Sequence, residues 1–222
     1  MINDSYKEFI EYAKPIGIYR MDEFQTVKSG IGLKHDVDNR LDIALEMAKY
    51  EYSQGVKSTY FILHTADYYP NFPVFKEIQD MGHEIGFHND LLTHWLKTGE
   101  NPKDCLKNEL RKFRENGIEI KGTFSHGSYL ARDVRFLNHY SWQQTRIFQT
   151  HPQYENIRYN GKLYNIKKLD LYEFFEYDVM FITRDLAITD CKKNFNYKNI
   201  EDLKIIINVH PNQTKSVFLW IE

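Results

Sequence analysis

Cysteine is scarce in this chain. Its two cysteines, Cys105 and Cys191, lie far apart and neither belongs to a C-x-x-C pair. A disulfide scaffold and a zinc-ribbon framework are thereby excluded, and two reduced thiols are the expectation. An excess of charge of one sign is lacking too: 29 Lys and Arg stand against 31 Asp and Glu, a formal charge of -2, with no basic tract. Nucleic acid and anionic membranes are bound largely through clustered Lys and Arg, so neither is expected as a partner. No run of about 18 apolar residues occurs, and the opening MINDSYKEF has no basic segment followed by an apolar one, so no spanning helix or signal peptide is expected. A cytoplasmic location is the corresponding expectation. Linkers rich in glycine and serine, repeats and low-complexity stretches are absent, and prolines fall in loops or at element starts, as at Pro73 and Pro211. The 222 residues therefore predict one domain over 1–222, with 1–29 as an N-terminal helical extension packed on it.

What is present is alternation. After an amphipathic opening with Tyr6, Phe9, Ile10 and Ala13 at helical spacing, GIGLKHDVD reads as a strand, RLDIALEMAKYEYSQG as a helix ending at Gly55, and KSTYFIL as a strand. The pattern continues with a helix in FPVFKEIQDMG, a strand in HEIGFH, a helix in KDCLKNELRKFRENG and a strand in IKGTFSHG. Further strands are expected in EYDVMFIT and DLKIIINVHP. Successive strand-helix units imply a parallel sheet or barrel with helices outside, an α/β class.

Strand parity explains a burst of charge in LKHDVDNR. Side chains two apart share a face, so Ile31, Leu33 and Val37 point one way, and Lys34, Asp36 and Asp38 the other. The first set belongs under helices and the second lines a polar interior. In HEIGFH the same rule sends Ile85 and Phe87 outward and Glu84, Gly86 and His88 inward; in the last strand Ile205, Ile207 and Val209 face out and Asn208 and His210 face in. Asp36, Asp38, His88 and His210 thus meet at the C-terminal ends of strands, where α/β barrels carry their active sites. Lys34 and Glu84, deeper on the same face, are candidates to neutralise each other.

Imidazoles with a carboxylate are the usual ligands of a divalent metal such as zinc, and a catalytic site keeps about three protein ligands and an open position for water. Two carboxylates on one strand allow one to bind metal and the other to accept a proton from water. The competing structural reading is that Asp38 merely caps the helix that follows.

LKHDVD, FPVFKEIQDMGHEIGFHND, GTFSHGS and IIINVHP resemble, in order and separation, successive motifs of the polysaccharide deacetylase superfamily, the NodB-like carbohydrate esterases. More narrowly they resemble an HDVD/HGS-type subgroup associated with bacterial surface-glycan biosynthesis, such as O-antigen or capsule. The resemblance implies a single distorted (β/α) barrel and a metal-dependent hydrolase, most simply with zinc, that removes an N-acetyl or O-acetyl group from a sugar or glycan precursor. It implies Asp36 as catalytic base, Asp38 and His88 as metal ligands, and His210 as the acid that protonates the leaving amine. SHGS, 125–128, lies where the family has a turn whose backbone N–H helps bind an oxyanion.

The sequence also departs from the pattern. Leu92 stands where the family's second metal histidine is expected, so either His126 or His94 must supply that ligand; His126 is favoured because its strand end converges on the same mouth. The usual arginine of the third motif is missing, and Lys34 is a candidate to hold Asp36 ionised. His64, at the end of the second strand, is a further candidate for the mouth, whereas His35 and His83 have outward parity. A metal-dependent hydrolase of another C–N bond, of the cyclic amide type, and a non-catalytic glycan-binding or scaffold barrel remain the alternatives.

Overall fold

The computed structural model describes residues 2, 4–134, 138, 156–165, 185–187 and 204–211. Helix α1 (Asp4–Ala13), strand β1 (Ile18–Tyr19) and the one-turn helix α2 (Met21–Phe24) lead into β2 (Gly30–Val37). There follow α3 (Leu41–Ser53), β3 (Thr59–Leu63), α4 (Phe72–Asp80) and β4 (Glu84–Asn89). Two helices, α5 (Leu91–Thr98) and α6 (Pro102–Glu115), precede β5 (Ile120–Ser125) and α7 (Tyr129–Asp133). Strands β6 (Asn156–Tyr159) and β7 (Lys162–Asn165) form a separate antiparallel hairpin; β8 (Asp185–Ala187) and β9 (Lys204–Asn208) return to the main sheet. The strand expected in EYDVMFIT lies outside the described residues, as does Cys191.

Local signals account for the boundaries. Asn101 accepts a hydrogen bond from the Lys103 N–H at 2.9 Å, and Pro102 opens α6 where no backbone donor is needed. Gly55 and Gly117, at φ of +70°, follow α3 and α6 in the left-handed conformation that favours glycine.

The main sheet is parallel, in the order β5-β4-β3-β2-β9-β8, with β1 beside β2. It curls into a half-barrel with helices packed on it, which meets the α/β expectation at that level. Among the described residues no helix is long and apolar enough to cross a membrane. Each face has its own core. Ile31, Leu33, Val37, Ile85, Phe87, Ile205, Ile207 and Val209 join Tyr6, Phe9 and Ile10 of α1 and the apolar residues of α3, α4 and α6 on the helix side. On the inner side Phe61 and Ile206 pack with Met21 and Phe24 of α2, and Phe124 borders them. Met21 donates its N–H to Thr59 Oγ1 and Asp22 to Glu84, so α2 seals the N-terminal end of the inner face.

One irregularity decides where β5 aims its residues. Ile85 pairs with Ile120 but Phe87 pairs with Thr123, so β5 carries one residue more than β4 across this step. A bulge of this kind reverses side-chain parity. Ile120 packs on the helix side, and strict alternation from it would turn Phe124 and His126 outward; beyond the bulge Phe124 instead borders the inner core.

The inner face is tightly filled at Gly86, paired across from Phe61. A β-carbon at Gly86 would clash with the fully buried Phe61 ring. Gly86→Ala is therefore expected to lose about 1–3 kcal/mol by overpacking. Urea denaturation checks this, and a Gly86→Ala/Phe61→Leu double variant should recover part of the loss.

A candidate metal centre at the strand ends

Asp36 lies near the end of β2, Asp38 just beyond it, His88 near the end of β4, His126 just beyond β5 and His210 just beyond β9. The five side chains meet at one mouth. Asp38 Oδ1 is 3.3 Å from His88 Nε2 and 3.8 Å from His126 Nε2, while His210 Nε2 is 3.5 Å from Asp38 Oδ2 and 3.9 Å from Asp36 Oδ2.

Lys34 and Glu84 do not neutralise each other. The Lys34 ammonium, wholly buried, donates to both oxygens of Asp36 at 2.9 Å and lies 3.3 Å from the centre of the Phe124 ring. Glu84 accepts from the Thr59 hydroxyl and the Asp22 N–H instead, because α2 brings those donors to the bottom of the sheet. Asn208 completes the clamp on Asp36, donating to Oδ2 at 2.6 Å. Burial opposes the charged form of Asp36, yet Lys34, His88 and His210 outweigh it and hold the carboxyl well below the usual range. Asp38 is lowered in the same sense, burial again being overcome by the His88 ring 3.3 Å from its Oδ1.

The donor set suits a cation. Asp38, His88 and His126 offer ligand atoms within 4.8 Å of one another. Asp38 Oδ1 is buried with no hydrogen-bond donor, an arrangement that costs energy unless something positive fills the gap. His88 Nδ1 lies 2.8 Å from the Phe124 carbonyl and His126 Nδ1 lies 3.3 Å from Asp90 Oδ2. The Phe124 carbonyl draws the His88 ring proton to Nδ1 and turns its Nε2 lone pair toward Asp38, as in histidines that ligate metals, whereas His126 Nδ1, close to Asp90, makes no aligned hydrogen bond. His88 has a raised pKa, burial being outweighed by Asp36 and Asp38, so the same negative charge attracts a cation of either kind. The capping reading for Asp38 fails: Arg40, without a side-chain cap bond, occupies the N-cap of α3.

His94 is elsewhere. It pairs with Glu100 at 2.7 Å, and Leu92 is a wholly buried residue of α5 whose N–H donates to Asn138 Oδ1. His64 does not face the mouth: it follows β3 with outward parity, its ring against Phe87 on the helix side. His35 and His83 also lie on the helix side, bonded to Glu51 and to the Ala48 carbonyl respectively. The amide of His126 is committed to the Asn89 carbonyl at 2.8 Å and is not available to an oxyanion. His139, His151, Tyr140, Trp142 and Asp190 lie outside the described residues, and of Asp185 only its backbone pairing in β8 is described.

Sequence reasoning missed Asp90. Its carboxylate stands against His126 and accepts from Asn138 at 2.8 Å; despite burial, His126 and Thr93 help bring its pKa down to about 2. Its one signal was position, a second acid two residues after His88. No protein-family model, curated protein or solved structure matches this chain.

Proposed function

We propose that this protein is a metal-dependent hydrolase that removes an N-acetyl or O-acetyl group from a sugar or glycan precursor, on a distorted (β/α) barrel of the polysaccharide deacetylase type. The observation that carries it is the meeting of two aspartates and three histidines, from four strand ends, around one undonated carboxylate oxygen. Asp38, His88 and His126 would hold the ion, most simply zinc. When bound, the ion supplies Lewis acidity toward water and the acyl carbonyl.

Asp36 accepts the proton of the attacking water. Lys34 and Asn208 fix its carboxylate in place and keep it ionised, standing in for the arginine of the family pattern. His210 donates a proton to the departing nitrogen or oxygen; burial lowers its pKa despite Asp36 and Asp38, which makes its protonated form a readier donor. Amide donors to an oxyanion fall to the turn after His126, at Gly127 or Ser128. Products are acetate and an amino sugar, or acetate and a free hydroxyl.

Protein loaded with zinc should release acetate from a panel of N-acetylated and O-acetylated sugars, stop on chelation and recover on readdition. Asp38→Ala should lose both the activity and the metal of this centre. Full metal occupancy with no acetate released from any of them sinks the deacetylase, and turnover of a cyclic imide instead would transfer the centre to another C–N bond.

A further inference from the structure

A second group of metal-ligating side chains lies on the opposite face of the sheet. A ring nitrogen of His64, a ring nitrogen of His94 and Sγ of Cys105 lie within 4.8 Å of one another. They come from three elements: the end of β3, helix α5 and helix α6. His64 is 8% exposed, and its Nε2 is buried without any hydrogen-bond partner. The other nitrogen, Nδ1, faces the His88 carbonyl at 3.5 Å. An imidazole whose Nδ1–H turns to a carbonyl presents Nε2 as a bare lone pair, the form that binds metals. Burial, against the influence of Glu109 and Asp90, pushes the His64 pKa down to about 4. His94 is oriented by Glu100, which in turn accepts from Asn108 at 3.2 Å. Cys105 is 1% exposed, and burial, with Glu100 and Glu109 nearby, pushes its thiol up to about 12.

We propose that His64, His94 and Cys105 form a second metal site, which takes a thiophilic divalent ion of the zinc class with water in the fourth position. Two imidazoles and a thiolate are a zinc-type donor set, and soft sulfur disfavours magnesium and calcium. Binding displaces the Cys105 thiol proton to solvent as the metal–sulfur bond forms. The ion ties the end of β3 to α5 and α6, and α5 begins directly after Asp90, the residue that stands against His126. This site shares no ligand with the first centre, although His64 Nδ1 faces the His88 carbonyl.

The test uses the full chain carrying Asp38→Ala and His126→Ala, which removes the first centre. Stripped of metal and titrated with cobalt(II), it should bind one equivalent with thiolate-to-cobalt charge-transfer absorption, and added zinc should raise its denaturation midpoint. Cys105→Ser in that background should abolish the absorption. So should His94→Gln, a change at a partly exposed side chain that leaves the core intact. A natively folded protein, by circular dichroism, that binds cobalt without thiolate absorption, or not at all, overturns the proposal. Absorption that survives Cys105→Ser overturns it equally, by assigning the thiolate to Cys191.

Discussion

Asp36→Asn is expected to cut acetate release by about 10²- to 10⁴-fold, the usual range for loss of a general base, with metal still bound. The side chain keeps its size, and Asn208 can still contact the amide oxygen, so the mouth keeps its shape. What disappears is the negative charge that receives a proton. Lys34 then faces an amide and loses the counter-charge it holds at 2.9 Å from both oxygens. Metal binding should survive because Asp38, His88 and His126 provide the ligand atoms without Asp36. Steady-state kinetics beside metal content distinguishes the outcomes: near-normal turnover would remove Asp36 from the chemistry, and loss of the metal would make it a ligand. Because Lys34, His88 and His210 keep Asp36 ionised far into acid, the acid side of the wild-type pH profile should follow the histidines.

The second large effect is on stability. Glu51 is wholly buried on α3, and its carboxylate accepts from the Tyr6 and Tyr60 hydroxyls, from Ser58 Oγ at 2.6 Å and from His35 Nε2 at 2.8 Å. His35 Nδ1 in turn faces the Val209 carbonyl at 2.9 Å. One carboxylate thereby joins α1, α3, β2, β3 and the residue after β9. Glu51→Ala leaves those donors unanswered in a dry core, and removing one partner of a buried ionic cluster typically costs about 3–5 kcal/mol. Urea denaturation should show the unfolding free energy falling by that amount, read as a lower midpoint with little change in slope. Burial alone would raise the Glu51 pKa, yet His35, His83 and Ser58 bring it from 4.5 down to about 2. A depressed carboxylate stabilises the fold above its unfolded pKa, and the contribution is lost as pH falls through the folded one. The stability gap between wild type and Glu51→Gln should therefore close as pH falls from 4.5 to about 2. A gap that stays constant across that window would show that Glu51 acts through packing alone.

How much of this was legible depended on regularity. In β2, β4 and β9 the alternation is strict, so parity correctly sent Lys34, Asp36, His88, Asn208 and His210 inward and Ile31, Phe87 and Ile207 under the helices. Residue counting does not see partners that converge from distant segments. Parity offers Lys34 both Glu84 and Asp36 and cannot choose between them; α2 supplies Glu84 with donors, and Lys34 pairs with Asp36. His64 was offered to the mouth although its parity follows Tyr60 and Ile62, both on the helix side. Cys105 read as an ordinary thiol because its neighbours His64 and His94 come from other elements.

The convergence of His126 on Asp38 rests on the bulge that absorbs one surplus residue in β5, between the partners of Ile85 and Phe87. With the same residues but no bulge, strict alternation from Ile120 would send the third ligand to the opposite side, whereas deleting the surplus residue would remove the bulge and keep His126 facing inward. The strand therefore keeps its ligand aimed at the mouth through a change of length, by kinking instead of slipping register.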